Sequence, residues 1–215
     1  MKQLSRYIDH TLLRPTATKE DITKLCQEAK TFNFYSVCTN SCYTKHAKEQ
    51  TLNSKVKVCS VIGFPLGAMS TKAKVFETTQ AIKDGADEID MVMNLGLLKA
   101  KNFTSITREI ESIKEQLKNK VLKVIIETCY LTDDEIVKAC KLAIQAGADY
   151  IKTSTGFGTH GATLNHVKLM KSVVVDKAKI KASGGIKDYN TASKYIQLGV
   201  DRIGTSAGIK IVTDK

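Results

Sequence analysis

Proline and tryptophan are nearly missing from this chain. Its 215 residues hold two prolines, Pro15 and Pro65, no tryptophan and no low-complexity stretch. Nothing therefore reads as a linker, and residues 1–215 are expected to form one domain. No apolar run approaches the roughly 18 residues of a membrane span. The opening MKQLSRYIDHTLLRP lacks the apolar block of a secretory signal, so a cytoplasmic protein with no membrane partner is expected. Paired C-x-x-C cysteines are absent too. Cys26, Cys38, Cys42, Cys59, Cys129 and Cys140 are scattered, several of them at apolar-periodic positions, and they read as reduced, buried thiols. Cys38, Cys42 and His46 would give three zinc ligands, but no second cluster completes the set, so no metal is expected. Arginine-rich runs, aromatic RNA-binding motifs and zinc-finger spacings are missing as well. The net charge of +11 is accordingly read as a solvated lysine surface with no nucleic-acid partner. A field of that sign attracts an anionic substrate such as a sugar phosphate.

What is present is a recurring unit. AIKDGADEIDMVMN (81–94), AIQAGADYIKTSTG (143–156) and YIQLGVDRIGTSAG (195–208) each carry the end of a helix, a glycine near its C-cap, an acidic residue and a short apolar strand. Between strands the helical period is plain: Phe103, Ile106, Ile110, Ile113 and Leu117 step by three and four along one face. Thr132 with Glu135 predicts a capping box, and Thr18 with Asp21 repeats the pattern. Strands are predicted at 7–12, 35–39, 57–64, 88–93, 122–128, 149–155, 179–184 and 201–206, each followed by a helix, the last one short. Such alternation means right-handed βαβ units, and this many of them predict a closed (β/α)8 TIM barrel. An open doubly wound sheet has fewer units and a glycine-rich turn after its first strand, where this chain has HTLLRPT.

In such a barrel the chemistry sits at the carboxyl ends of the strands. Asp9 is read as ending the first strand region, with Asp90 in the fourth, Glu127 in the fifth, Lys152 in the sixth and Lys181 in the seventh, each among apolar or small neighbours. Alternation places Lys152 with Ser154, and Lys181 with Ser183, on one face. One such lysine reads as a strand cation snorkelling outward or paired with Glu127 or Asp90. Two on neighbouring strands, in matching contexts, need a chemical reason, because buried like charges are costly. An amine is nucleophilic only when neutral, and desolvation plus a second cation push its pKa down. Lys181 beside Lys152 fits an imine-forming enzyme, with Asp90 balancing charge and relaying protons. Gly156 and Gly158, Gly184 and Gly185, and Gly204-Thr205-Ser206 follow the last three strands. Freed N–H groups there, near a helix N-terminus and with Lys187 adding charge, suit a phosphate, although tight turns alone would also use glycine.

Taken together, YIDHTLLRP, VIGFPLGA, GADEIDMVMN, KVIIET, GADYIKTSTGF, IKASGGI and RIGTSAG resemble the deoxyribose-phosphate aldolases, class I aldolases on a (β/α)8 barrel. The likeness runs from residue 7 to 208. It implies Lys152 of KTSTG as the Schiff-base lysine, Lys181 as the second lysine and Asp90 as the acidic proton relay. It implies Asp9 and Thr11 of the D-x-T-x-L motif near the substrate, Asp9 by the hydroxyls. Phosphate loops are implied at Gly156, Gly184, Gly185, Gly204, Thr205 and Ser206, with Lys187 in the phosphate loop; Thr155 is implied as substrate-binding, and Cys38 falls where the family often carries an active-site cysteine. The implied reaction is reversible cleavage of 2-deoxy-D-ribose 5-phosphate to acetaldehyde and D-glyceraldehyde 3-phosphate, in deoxynucleoside catabolism. It uses no metal and no cofactor, and a homodimer is the assembly considered. Another Schiff-base aldolase of a phosphorylated sugar, or a catalytically weakened homologue, is the alternative. Three departures stand out. No tyrosine follows Tyr195, whereas many members end in one that protonates the enamine. The run CTNSCY lacks the usual proline, and Lys187 stands where arginine is common.

Overall fold

The computed structural model describes residues 4–214. Eight parallel strands close into a barrel in chain order, with β8 returning to β1. The strands are β1 (Ile8–Leu12), β2 (Ser36–Thr39), β3 (Lys57–Ile62), β4 (Glu88–Val92), β5 (Val121–Ile125), β6 (Tyr150–Lys152), β7 (Lys179–Ser183) and β8 (Arg202–Thr205). Around them run α1 (Lys19–Thr31), α2 (Thr44–Gln50), α3 (Thr71–Lys83), the short α4 (Leu95–Lys99), α5 (Phe103–Leu117), α6 (Asp133–Gln145), α7 (Leu164–Val174), α8 (Tyr189–Gln197) and a six-residue α9 (Gly208–Thr213). The predicted (β/α)8 barrel is the observed one. Among the described residues no helix is long and apolar enough to cross a membrane.

Local sequence explains the elements. In α5, Ile106, Ile110, Ile113 and Leu117 are buried on one stripe, and Asn102 caps the Ser105 N–H. Both predicted capping boxes form, Thr18 with Asp21 ahead of α1 and Thr132 with Glu135 ahead of α6. The recurring glycine–acid unit also has a structural meaning. Gly85, Gly147 and Gly199 each leave a helix at φ of 99°, 82° and 84°, a region that a side chain resists. The acid two residues on then reaches back to the strand before it. Asp87 accepts the Val58 N–H at 3.0 Å, Asp149 that of Leu122 at 2.7 Å and Asp201 that of Ile180 at 2.9 Å. Each repeat thereby stitches its strand to the preceding one at the amino end of the barrel.

The strands end one to three residues earlier than the sequence reading at several places, and β5 and β6 differ most. Strand β6 stops at Lys152 because Thr153 turns its hydroxyl on β7, bonding the Ser183 carbonyl and N–H at 3.2 and 3.1 Å. Strand β5 stops at Ile125, so Glu127 is not in the strand. It sits beyond it at φ 47°, in the left-handed region. Asp9 is the second residue of β1 rather than its end.

The apolar core lies between barrel and helices. Ile8, Val37, Val58, Ile89, Val124, Ile151, Ile180 and Ile203 point outward into it. Alternation then sends the other set of strand residues inward, and seven of these, Asp9, Glu88, Asp90, Lys123, Lys152, Lys181 and Arg202, are buried and charged. A barrel interior of this fold is ordinarily filled by branched apolar side chains. Here a small apolar cluster of Leu13, Cys38, Cys59 and Val61, with Phe64 against it, occupies the β1–β3 side.

Candidate active site

The barrel interior holds a closed ring of ion pairs. Lys123 Nζ meets Glu88 Oε2 at 2.6 Å, and Glu88 meets Arg202 at 2.5 Å. Arg202 meets Asp9 Oδ1 at 3.4 Å, and Asp9 Oδ2 meets Lys181 Nζ at 2.6 Å. Lys181 meets Asp90 Oδ2 at 2.8 Å, and Asp90 Oδ1 returns to Lys123 at 2.8 Å. Three cations alternate with three carboxylates, all of them buried. Lys152 is a seventh member outside the ring, its Nζ 2.8 Å from Asp90 Oδ2. The strand register assembles these groups: Asp90 lies opposite Lys123, Lys152 opposite Lys181, and Lys181 opposite Arg202.

Charges taken from water survive only when paired and hydrogen-bonded, and the ionisation behaviour of the ring follows that rule. Burial pushes the Asp90 carboxyl up, but Lys123, Lys152 and Lys181 outweigh it and hold the pKa well below the usual range. Burial disfavours the charge on Lys181, and Asp9 and Asp90 outweigh it, so this amine is held as a cation. Lys123 behaves alike, burial being overcome first by Asp90. Asp9 is kept ionised against burial by Arg202 and then Lys181, although neither of its oxygens has a well-aligned hydrogen bond. On the apolar side Cys59 donates to Asp90 Oδ1 at 3.0 Å. Burial drives its thiol pKa up.

Above the ring opens a cavity of about 460 Å³ at the carboxyl ends of the strands. Lys152 reaches its floor. The walls carry Thr11, Thr155, Gly156, Gly184, Gly185, Lys187, Gly204, Thr205 and Ser206, which the sequence reading had assigned to the substrate. Asp9 and Cys38 are fully buried and lie outside the wall, Asp9 against Lys181. Lys181 and Asp90 stand beneath Lys152, away from the cavity surface. No acceptor among the described residues takes the N–H groups of Gly156, Gly185 and Ser206. Together with exposed Lys187, they leave the β6–β8 side rich in free donors. The β6 turn is fixed from outside. Glu127 accepts the Thr155 hydroxyl in a short bond and its N–H at 3.2 Å, while Thr155 Oγ1 accepts the Phe157 N–H at 3.0 Å. Phe157 meets Phe64 edge-on at 5.3 Å on the rim of the opposite, apolar side.

Sequence reasoning missed Lys123, Glu88 and Arg202. The signal was available. Lys123 is a cation inside an apolar strand just as Lys152 is, and Glu88 shares a face with Asp90 at a spacing of two. The zinc trio considered from sequence does not converge. Cys42 is exposed and His46 bonds Thr23 at 2.8 Å, and among the described residues the one group of possible ligands is Cys38, Cys59 and Asp90. Lys123, Lys152 and Lys181 all bond Asp90, so that group sits beside three ammonium ions and is a poor seat for a cation.

A barrel with buried lysines and a carboxylate under a cavity at its carboxyl end is a scaffold for carbonyl chemistry, and comparison with known proteins gives the class. The family model described as DeoC/LacD family aldolase matches residues 4–212, and the chain belongs to this aldolase family. More narrowly, it is 57% identical over 210 residues to the deoxyribose-phosphate aldolase of Finegoldia magna, covering 98% of this chain and 99% of that one. It is 54% identical to the enzyme of the same name from Thermococcus gammatolerans, covering 97% and 95%. Among solved structures, the tetrameric deoxyribose phosphate aldolase of Aeropyrum pernix superposes with a TM-score of 0.91 at 35% identity, covering 97% and 89%.

Proposed function

We propose that this aldolase reversibly cleaves 2-deoxy-D-ribose 5-phosphate to acetaldehyde and D-glyceraldehyde 3-phosphate through a Schiff base on Lys152, and serves deoxynucleoside breakdown. The observation that carries the reading is the position of Lys152, the one lysine among the described residues that both contacts Asp90 and reaches the floor of the cavity. The names of the similar proteins support 2-deoxyribose 5-phosphate as the substrate.

In the cleavage direction the Lys152 nitrogen, as a free amine, attacks C1 of the open-chain sugar. Loss of water from the carbinolamine leaves an iminium whose positive charge draws electrons. A base removes the proton of the C3 hydroxyl, the C2–C3 bond breaks, and its electron pair enters the enamine. Glyceraldehyde 3-phosphate departs, C2 of the enamine takes a proton, and water releases acetaldehyde. Asp90 lies against the nitrogen and stays ionised at neutral pH, so it would pair with the iminium as it forms. Lys181, held as a cation on the same carboxylate oxygen, would supply and retrieve protons through water. The phosphate would lie on the β6–β8 side, where unpaired N–H groups and Lys187 gather, which directs the two-carbon end toward the apolar wall.

The test is a substrate panel. The purified protein given 2-deoxyribose 5-phosphate should release acetaldehyde and glyceraldehyde 3-phosphate in equal amounts, and Lys152→Ala should release neither. Preference for another phosphorylated sugar would replace the substrate while leaving the lysine chemistry in place. Full turnover by Lys152→Ala would end the proposal.

A further inference from the structure

The ring has a property that the catalytic trio alone lacks: it is electrically complete. Lys123, Arg202 and Lys181 balance Glu88, Asp9 and Asp90 one for one. A proton on Lys152, at the cavity floor, is therefore a charge that the ring beneath it does not balance. We propose that Lys123 and Glu88, which lie outside the cavity wall, set the protonation of Lys152 through this balance and act as positioning residues for the imine chemistry. The proposal rests on the reading of Lys152 as the nucleophile.

The other groups facing the ring do not offset it. Cys38 on β2 and Cys59 on β3 are thiols, and Cys59 donates to Asp90 rather than receiving charge from it. Tyr150 on β6 lies near Arg202 and Lys123 as a ring face, at 5.7 and 5.9 Å, and burial holds its phenol neutral by pushing its pKa up to about 12. Tyr35 stacks on the Arg202 guanidinium at 3.3 Å. The balance thus resides in the six ring groups and Lys152, and Lys123 and Glu88 can be altered without touching the cavity wall, to which neither contributes. Geometry adds a second link: Lys123 holds Asp90 Oδ1, which leaves Oδ2 to serve both Lys152 and Lys181.

The experiment measures the rate of borohydride-trapped adduct formation with acetaldehyde against pH, in the full chain and three variants. Lys123→Met leaves the ring one negative charge in excess, so Lys152 keeps its proton longer and the acid limb of the profile moves to higher pH by about one unit or more. Glu88→Gln leaves one positive charge in excess, and the limb moves to lower pH. The double variant Lys123→Met/Glu88→Gln is balanced again, and its limb returns to the wild-type position. A merely structural pair would change rate or stability without moving the limb in opposite senses and restoring it. Limbs that stay in place, or both move the same way, overturn the proposal. If a single variant does not fold, the double variant decides: a wild-type limb supports the charge balance, and a displaced limb or failure to fold refutes it. Failure of the wild type to trap acetaldehyde on Lys152 would instead remove the underlying reading, so the two failures are distinct.

Discussion

Replacing Asp90 by asparagine keeps the shape of the side chain and removes the one charge on which three ammonium groups converge. Lys123, Lys152 and Lys181 each lie 2.8 Å from it. One such contact is worth about 6 kcal/mol of Coulomb attraction at an effective dielectric of about 20. Desolvation of the carboxylate offsets much of that, and breaking a buried pair nets about 3–5 kcal/mol. Because three cations lose their partner together, the upper part of that range applies, about 5 kcal/mol. For a chain of this size each kcal/mol lowers Tm by about 2–4 °C, so Asp90→Asn should melt about 10–20 °C below the wild type. The pH dependence has a definite sign. A carboxyl whose folded pKa is depressed stabilises fully above its unfolded value of about 4, and that contribution is lost as pH falls through the folded value. Lys123 and Lys181 have raised values, so their contribution is present below about pH 10 and is lost as pH rises through them. The gap between wild type and variant should therefore be widest between about pH 4 and 10 and narrow towards both the acid and the alkaline extreme. Calorimetric melts across that window provide the assay. A fall in Tm of less than about 2 °C at pH 7, or a gap that widens in acid, refutes the ion-ring account.

Other perturbations separate the parts of the site. Lys187→Ala removes a cation from the phosphate side of the cavity. It should raise KM for 2-deoxyribose 5-phosphate about tenfold while leaving cleavage of unphosphorylated 2-deoxyribose unchanged, measured by steady-state kinetics on both sugars. Gly204→Ala places a methyl 3.0 Å from Lys181 Cε and from Ser183 Cβ, which forces the second lysine aside. Turnover should fall about tenfold or more with little change in Tm, and equal turnover would show that the position of Lys181 is not critical. Lys74→Met leaves Glu109 buried without its partner at 2.7 Å between α3 and α5. It should cost about 3–5 kcal/mol in urea unfolding without touching the chemistry.

The fold was legible because its signals are local. Helical stripes, capping boxes and the glycine–acid unit each declare themselves within fifteen residues, and the barrel follows from their number and alternation. Lys152, Lys181 and Asp90 stood out because charged residues in short apolar strands are anomalous wherever the strands end up. Asp9 was read as well, but Lys123, Glu88 and Arg202 were not. The ring is closed by pairs far apart in sequence, Arg202 with Glu88 and Arg202 with Asp9, and nothing local tells an inward-facing arginine from one that snorkels out at a strand end. Glu127 was read as a strand residue because KVIIET is apolar up to it. Its left-handed backbone and its grip on Thr155 appear only once β6 is alongside. Period-two patterning also assigns two faces without saying which is the barrel interior, and here the interior is the charged one.

The central claim is that Lys152 carries the substrate. Incubating the protein with acetaldehyde and sodium borohydride, digesting it and mapping the peptides by mass reads this directly. The account predicts one ethyl group, on Lys152 alone, together with irreversible loss of activity. An ethyl group on Lys181 or on a surface lysine instead, or an unmodified and fully active protein after reduction, would contradict it.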